Sequence, residues 1–158
     1  GQEAYSIAIL IREHFPELRD WNILIQATDI SEAILDKARA GIYSSSEVKR
    51  GLDERYLQKY FREEGGGYQI NASIRSMVNF LPHNLVASWP FYPKFDLILL
   101  RNVLIYFNQA TKNKVLEKMH RQLNGKEGIL ILGASESIYM NELFKTIPLE
   151  KISYYQSS

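Results

Sequence analysis

Three short apolar runs, two of which end directly in polar residues, constrain most strongly what this chain can fold into. The runs cover residues 22–27, 95–100 and 129–133, and the first two are followed by Thr28-Asp29 and Arg101-Asn102. Leucine and β-branched residues dominate runs of this length, as is typical of strands that are buried on both faces of a parallel sheet. The carboxyl ends of such strands are where ligands bind in open α/β sheets.

Stretches with helical periodicity lie between the apolar runs. The spacing predicts helices over residues 5–15, 31–39 and 109–123, with Ser31 and Asn108 as N-caps and Gly41 as the left-handed residue after the second helix. The predicted core positions are Ala33, Ile34 and Ala38 in the second helix and Val115, Leu116, Met119 and Leu123 in the third. Strands that alternate with helices of this length imply an α/β fold with a mostly parallel sheet. A short strand over residues 152–156 is predicted to be antiparallel and near an edge.

The pattern changes between residues 44 and 82. A charged helical stretch over residues 52–62 leads into three consecutive glycines, and period-two stretches over residues 68–75 then suggest strands. We interpret residues 44–82 as a small inserted β-subdomain, in which the glycines form a flexible hairpin connection.

The composition narrows the function classes. Since the chain has no cysteine, it has no disulfide framework, no thiolate zinc site and no cysteine nucleophile. Its 19 basic and 18 acidic side chains give a net charge of +1, without the basic face of a nucleic-acid binder. No apolar run approaches the roughly 20 residues of a membrane span, and the three histidines lack metal-ligand spacing. We expect one cytoplasmic domain over residues 1–158, with no metal, no nucleic acid and no membrane insertion.

Polar residues after the predicted strands are the first candidates for a binding site. They are Asp29, Arg101, Asn102, Ser135 and Glu136. A carboxylate just past a parallel strand can accept hydrogen bonds from two vicinal ribose hydroxyls, although Asp29 could instead cap the helix that starts near Ser31. Glu3 lies at the start of a predicted helix, where the helix dipole favours an acidic side chain, so its position alone does not indicate a binding role. Arg101 could form a structural ion pair, and Tyr106 could be an ordinary core aromatic.

Four stretches together carry a resemblance to a known family. They are residues 1–8 (GQEAYSIA), residues 27–30 (ATDI), Asn84-Leu85, and residues 101–107 (RNVLIYF), to which residues 133–136 (GASE) add a fifth match. In this order and spacing, the chain resembles the CheR-type chemotaxis receptor methyltransferases over nearly its whole length. The resemblance implies a Rossmann-like methyltransferase fold and methylation of glutamate side chains on chemoreceptors, which would make the cytoplasmic helices of methyl-accepting chemoreceptors its partners.

The resemblance also implies S-adenosylmethionine as the cofactor and S-adenosylhomocysteine as the product. Glu3 would accept hydrogen bonds from the α-amino group of the cofactor, and Asp29 would hold the ribose hydroxyls. Asn84 and Leu85 would frame the adenine. The floor of the pocket and the methyl-transfer site would be formed by Leu100, Arg101 and Tyr106, of which Arg101 and Tyr106 are the candidate catalytic residues.

The implied reaction does not require the protein to remove a proton from the substrate. A glutamate side chain has a reference pKa near 4.3, so the substrate carboxylate is already ionised at neutral pH and needs no general base. The enzyme must align and partly desolvate this carboxylate, and Tyr106 could orient one of its oxygens through the phenolic hydroxyl.

Two parts that the family resemblance implies are not found in this sequence. The first strand of the methyltransferase domain, with its glycine turn, and the N-terminal helical domain are not among residues 1–158. We therefore expect either that another segment or chain supplies these parts, or that the chain is a fragment that binds cofactor weakly, is inactive alone and associates through an exposed sheet edge. The family's β-subdomain docks some members on a receptor-tethered peptide, but the loop over residues 63–67 is short, so peptide tethering is not expected.

Two alternative functions stay open at this stage. One is a non-catalytic signalling module that keeps the fold, which truncation would favour. The other is half of a nicotinamide-dependent oxidoreductase, which shares an acid after the second strand but carries a G-x-G-x-x-G motif that this chain lacks.

Overall fold

The structure is a computed structural model that describes residues 1–138, 142–150 and 152–158. Its chain divides into two compact units, Gly1–Asn84 and Leu85–Ser158, here called the first and second units. The helices are α1 (Gln2–His14), α2 (Glu32–Ala40), α3 (Ser45–Val48), α4 (Glu54–Tyr60), α5 (Ala72–Arg75) and α6 (Gln109–Gln122). The strands are β1 (Ile25–Asp29), β2 (Ile42–Tyr43), β3 (Phe61–Glu64), β4 (Gly67–Ile70), β5 (Val78–Pro82), β6 (Leu97–Leu100), β7 (Ile129–Leu132), β8 (Phe144–Leu149) and β9 (Ile152–Ser157). Parallel strands with helices between them confirm the predicted α/β class.

A parallel pair of strands, β1 and β5, forms the sheet that positions the candidate site in the first unit. The two strands run in register from Ile25 opposite Val78 to Asp29 opposite Pro82. β1 begins three residues later than predicted and includes the polar residues that were expected just beyond it. β5 falls within residues 44–82, which the sequence pattern assigned to the insertion. Because β5 pairs with β1, its residues belong to the parallel sheet and not to the β-subdomain.

Helices α1 and α2 pack against this pair. Tyr5 of α1 is 2% exposed, and its ring meets that of Phe80 in β5 edge to face at 5.5 Å. Ser31 caps α2, as predicted, by accepting a hydrogen bond from the backbone N–H of Ile34. The predicted core face of α2 is correct only at Ala38, because the helix is turned so that Leu35 faces the core, while Ala33 and Ile34 are exposed.

A three-stranded antiparallel sheet forms the β-subdomain in the order β2, β4, β3. The register of β3 and β4 leaves Gly65 and Gly66 as a two-residue hairpin loop, and both have the positive φ that the favoured hairpin turns require. The predicted strand over residues 68–75 ends at Ile70, after which α5 begins.

The second unit has a four-stranded sheet in the order β6, β7, β9, β8. β6 and β7 are parallel, as predicted, and β9 is antiparallel to β7. β9 lies one strand in from the edge, because β8 pairs with its other side. No strand was predicted at β8, where Lys145 and Pro148 interrupt the apolar pattern.

The core of the second unit lies between α6 and its sheet. All four predicted core positions of the α6 segment are buried, together with side chains of β6, β7 and β9; the set includes Val115, Leu116, Met119, Leu123, Leu100, Leu130 and Tyr155. Asn108 caps α6 by accepting a hydrogen bond from the backbone N–H of Thr111 at 2.9 Å. Across the described ranges, no helix is both long enough and apolar enough to cross a membrane.

Candidate active site

The carboxyl ends of β1 and β5 bring two predicted cofactor residues together in the first unit. Asp29 ends β1 opposite Pro82, and its carbonyl accepts a hydrogen bond from the backbone N–H of His83 at 2.9 Å. Asn84 follows immediately and is exposed. The parallel-strand pairing therefore places Asp29 and Asn84 at the carboxyl ends of neighbouring strands, although the strand-end pattern had pointed to Asp29 alone of the two.

The carboxylate of Asp29 is half-buried and held in one orientation. Its Oδ1 accepts a hydrogen bond from the backbone N–H of Ser31 at 2.8 Å, while Ser31 itself is the N-cap of α2. Oδ2 accepts no hydrogen bond from any residue in the described part of the chain. The local role weighed for Asp29 thus uses one oxygen only, and the other is free to accept from a ligand hydroxyl.

Glu3 lies in the first turn of α1, exposed at the same end of the first unit. The start of α1 approaches its neighbours closely, because a Cβ on Gly1 would lie 2.8 Å from Cβ of Ala38 and 3.1 Å from the ring of Phe80. The Asp29 carboxylate is close enough to the backbone nitrogen of Gly1 for an electrostatic interaction. The first unit therefore groups Glu3 and Asp29 near the start of α1.

In the second unit, a carboxylate that received no predicted role organises the end of β6. Glu136 accepts four backbone hydrogen bonds: Oε2 from Asn102 at 2.7 Å and from Gly133 at 2.9 Å, and Oε1 from Val103 at 2.9 Å and from Leu104 at 2.7 Å. The side chain therefore links the loop after β7 to the loop after β6.

Two opposing effects set the pKa of Glu136. Partial burial is the largest single effect and raises this pKa, since it disfavours the charged form. The four backbone N–H groups favour the carboxylate, and together they bring the pKa below its ordinary value. Glu136 is therefore ionised at neutral pH and accepts all four hydrogen bonds as an anion.

The loop that Glu136 holds carries both candidate catalytic residues. Arg101 begins this loop and is exposed, and a 3₁₀ turn over Leu104–Tyr106 lies near its end. Leu104 is 3% exposed and anchors the turn in the core, whereas Tyr106 is 79% exposed. Tyr106 is therefore not a core aromatic, and its hydroxyl is accessible to a ligand or substrate.

Leu85 and Leu100 occupy different environments in the second unit. Leu100 is 4% exposed and belongs to the core of the second unit. Leu85 is half-buried, and its carbonyl accepts hydrogen bonds from Lys118 Nζ at 3.1 Å and from Trp89 Nε1 at 3.0 Å. Lys118 Nζ also donates to the carbonyls of Val86 and Ala87, at 3.0 and 2.6 Å.

Sequence reasoning missed the roles of Glu136 and Lys118. Glu136 was noted as a strand-end residue and as the last residue of the GASE match, and neither observation assigned it a role. Lys118 resembles any exposed helical lysine in the sequence, because its partners are main-chain carbonyls more than 30 residues away. Among the described residues, no group of three or more histidine or acidic side chains could hold a metal ion.

Comparison with known proteins shows the family of this chain. The family described as "CheR methyltransferase, SAM binding domain" matches residues 1–153. Chemotaxis protein methyltransferase 1 of Vibrio cholerae serotype O1 is 44% identical over 142 residues, which are 87% of this chain and 51% of that protein. Chemotaxis protein methyltransferase 1 of Pseudomonas aeruginosa is 39% identical over 143 residues, covering 87% and 52% of the two chains.

A more distant relative gives the same picture. The chemotaxis protein methyltransferase of Borreliella burgdorferi is 35% identical over 147 residues, covering 90% of this chain and 50% of that protein. The chain thus spans about half the length of the curated relatives that it matches. The predicted resemblance is confirmed, and the chain belongs to the CheR methyltransferase family, whose S-adenosylmethionine-binding domain it carries.

Proposed function

We propose that this chain is the cofactor-binding part of an enzyme that methylates glutamate side chains of chemoreceptors in chemotaxis. The observation that carries the proposal is the Asp29 carboxylate, fixed by Ser31 through one oxygen and open at the other. Two vicinal hydroxyls of a ribose are suitable donors for such an acceptor. The donor set at this edge of the sheet therefore fits the nucleoside of S-adenosylmethionine.

Each predicted residue has a place in this proposal. Asp29 holds the ribose, Glu3 accepts from the α-amino group, and Asn84 with Leu85 frames the adenine. Leu100 and Arg101 line the pocket floor. When it is bound, S-adenosylmethionine supplies an electrophilic methyl group on a sulfonium. The substrate is a glutamate carboxylate on the cytoplasmic helices of a chemoreceptor, and it is ionised at neutral pH.

Tyr106 has the accessibility that an orienting residue needs. Its hydroxyl extends from a turn whose base is the buried Leu104, so it can donate a hydrogen bond to one oxygen of the incoming carboxylate. Such a bond aligns the carboxylate and removes no proton. A single hydrogen bond of this kind contributes up to about 1.5 kcal/mol, or roughly tenfold in rate.

The first test is methyl transfer to receptor-containing membranes, measured with radiolabelled S-adenosylmethionine and the complete natural protein that contains this chain. Asp29→Asn keeps the shape of the side chain, removes its charge and should weaken S-adenosylhomocysteine binding in calorimetry. Asp20→Asn, an exposed aspartate of the same unit, is the matched control. The proposal fails if the wild-type protein transfers no methyl group, or if the two variants bind the product equally well.

The second test addresses Tyr106. Tyr106→Phe should lower the turnover of receptor methylation by about tenfold, since only the hydroxyl is removed. Tyr154→Phe in the second unit is the control for a general effect of losing a phenol. Unchanged kcat and KM in Tyr106→Phe would show that the hydroxyl does not orient the substrate.

One of the two alternative functions has lost its support, and the other can be distinguished by experiment. Family membership leaves the nicotinamide alternative without support. A non-catalytic module differs from the proposed enzyme in one measurable respect, because it would bind S-adenosylhomocysteine without transferring a methyl group. The same pair of assays therefore distinguishes the module from the enzyme.

A further inference from the structure

We propose that Glu136 is a positioning residue that fixes the loop over residues 101–107 and so holds Arg101 and Tyr106 in place for the reaction. The proposal rests on the proposed function for its consequence in catalysis, but its structural part stands on the geometry alone. Glu136 itself touches neither the cofactor nor the substrate in this proposal, and it acts through the main chain.

The direction of the hydrogen bonds supports a positioning role. Three consecutive N–H groups, those of Asn102, Val103 and Leu104, all point to one carboxylate. Successive N–H groups converge in this way only when the backbone turns sharply, and an anion at the centre stabilises that turn. The loop after β6 thus takes its shape around the Glu136 side chain.

The backbone of Asn102 shows what this arrangement holds in place. Its φ of 58° lies in the left-handed region, which asparagine tolerates better than most residues but which still carries strain. Asn102 directly follows Arg101 and begins the turn that ends at Tyr106. A change in this one residue's conformation would therefore redirect both candidate catalytic side chains.

Gly133 provides the space that the carboxylate needs. A Cβ at this position would lie 2.6 Å from Oε2 of Glu136 and 3.1 Å from the backbone nitrogen of Asn102. Both approaches are too close for a side chain to be added without displacing the carboxylate or the loop. The glycine and the glutamate therefore act as a pair, and a substitution of either one should have the same effect on the loop.

The first experiment measures the loop directly and needs no activity. In Glu136→Gln, the carboxamide presents its own N–H groups to some of these donors, so the amides of Asn102, Val103 and Leu104 should exchange with solvent at least tenfold faster by hydrogen exchange. Amides of β7 and β9 should change little. Glu127→Gln, an exposed glutamate in the same unit, is the control. Unchanged exchange at residues 102–104 in Glu136→Gln would overturn the proposal.

Gly133→Ala provides an independent variant if Glu136→Gln folds poorly. It keeps the carboxylate and its charge but removes the space for it, so it should raise exchange at the same three amides. If Gly133→Ala leaves these amides as protected as in the wild type, the pairing of glycine and glutamate is wrong.

The second experiment separates positioning from general stabilisation, with the complete natural protein as the enzyme. Glu136→Gln should lower kcat for receptor methylation by about 10²-fold, since a displacement of about 1 Å at reacting groups costs that much. Combined with Tyr106→Phe, it should add little further loss, because Tyr106 would already be misplaced. Fully additive losses would show that Glu136 does not act through Tyr106.

The two experiments distinguish the failure of this inference from failure of the proposed function. A wild-type protein without methyl transfer would overturn the enzyme and the catalytic consequence of Glu136, while the exchange results would still decide whether Glu136 holds the loop. Normal methyl transfer by Glu136→Gln with unaltered exchange would overturn the inference and leave the enzyme intact.

Discussion

Tyr43 lies in the core of the first unit with a buried hydroxyl that has no hydrogen-bond partner among the described residues. Burial strongly raises the pKa of this phenol, so it stays neutral and contributes an unsatisfied polar group. A buried polar group without a partner costs about 1–3 kcal/mol.

We therefore expect the free energy of unfolding of Tyr43→Phe to be no lower than that of the wild type, and higher by at most about 3 kcal/mol. Tyr5→Phe is the matched control, because the hydroxyl of Tyr5 donates to the carbonyl of Ala38 at 2.8 Å. Its loss should cost about 1 kcal/mol. Urea unfolding of the two variants checks the prediction, and a loss of stability in Tyr43→Phe would contradict it.

At the scale of secondary-structure elements, a network of charges joins α2 to α3. Ser44 and Glu47 form a capping box at the start of α3, and Lys37 of α2 donates to Glu47 at 2.8 Å. These hydrogen bonds lower the pKa of Glu47 to about 2, and the bond from Lys37 has the largest effect, followed by those from Ser44. These interactions favour the charged form of the Glu47 carboxylate.

The sign of the pH dependence follows from this lowered pKa. Ionised Glu47 stabilises the folded chain fully above its ordinary pKa of 4.5, and the contribution declines as the pH falls toward about 2. The stability difference between wild type and Glu47→Gln should therefore be constant above pH 5.5 or so and shrink in more acidic buffer. Urea unfolding across this range tests it, with Glu63→Gln as an exposed control. A difference that persists unchanged near pH 2 would contradict the role of the charge.

A second element-scale contact joins α6 to the loop over residues 85–87. Lys118 donates to three successive carbonyls there and lies 5.5 Å from the centre of the Trp89 ring. Lys118→Met keeps most of the side-chain volume but removes the donors. We expect faster proteolysis or hydrogen exchange at residues 85–89, while Lys114→Met, on an exposed position of α6, should leave the loop unchanged. Equal exchange in wild type and Lys118→Met would show that the lysine does not hold the loop.

Elements with strong local signals could be predicted from sequence, and those defined by distant pairing could not. The α6 helix was predicted with its cap and its core positions because both are local features. β8 was missed because it is an edge strand stabilised by pairing with β9, and an edge strand tolerates the proline and lysine that weaken its pattern. The core face of α2 was partly wrong, since periodicity alone does not decide which of several apolar positions meets the sheet.

The candidate site divides in the same way at the scale of the whole molecule. Asp29 could be located because parallel strands place their carboxyl ends at one edge, a rule that needs only the strand pattern. The role of Glu136 could not, because its partners are main-chain N–H groups that lie up to 34 residues earlier in the chain. Because nearly every residue type carries the same main-chain N–H group, the sequence does not show which residues donate such hydrogen bonds.

The two outer strands of the second unit's sheet differ in how well they resist pairing with another chain. β8 carries Lys145 and Pro148, which are typical protections of an edge strand. β6 has the sequence Leu-Ile-Leu-Leu, pairs with β7 only within the described ranges, and leaves Leu97 41% exposed. An unprotected apolar edge is a template for association.

We therefore expect the 158-residue chain to associate with itself in a concentration-dependent manner through the β6 edge. Leu97→Lys places a charge at the start of that edge and should shift the sedimenting mass toward the monomer of 18.3 kDa. Thr146→Lys, at an exposed position of the protected β8 edge, should not. Analytical ultracentrifugation over a wide concentration range measures this shift, and urea unfolding checks that both variants remain folded. A wild-type chain that is monomeric at every concentration, or an equal response to both lysines, would show that the β6 edge does not mediate association.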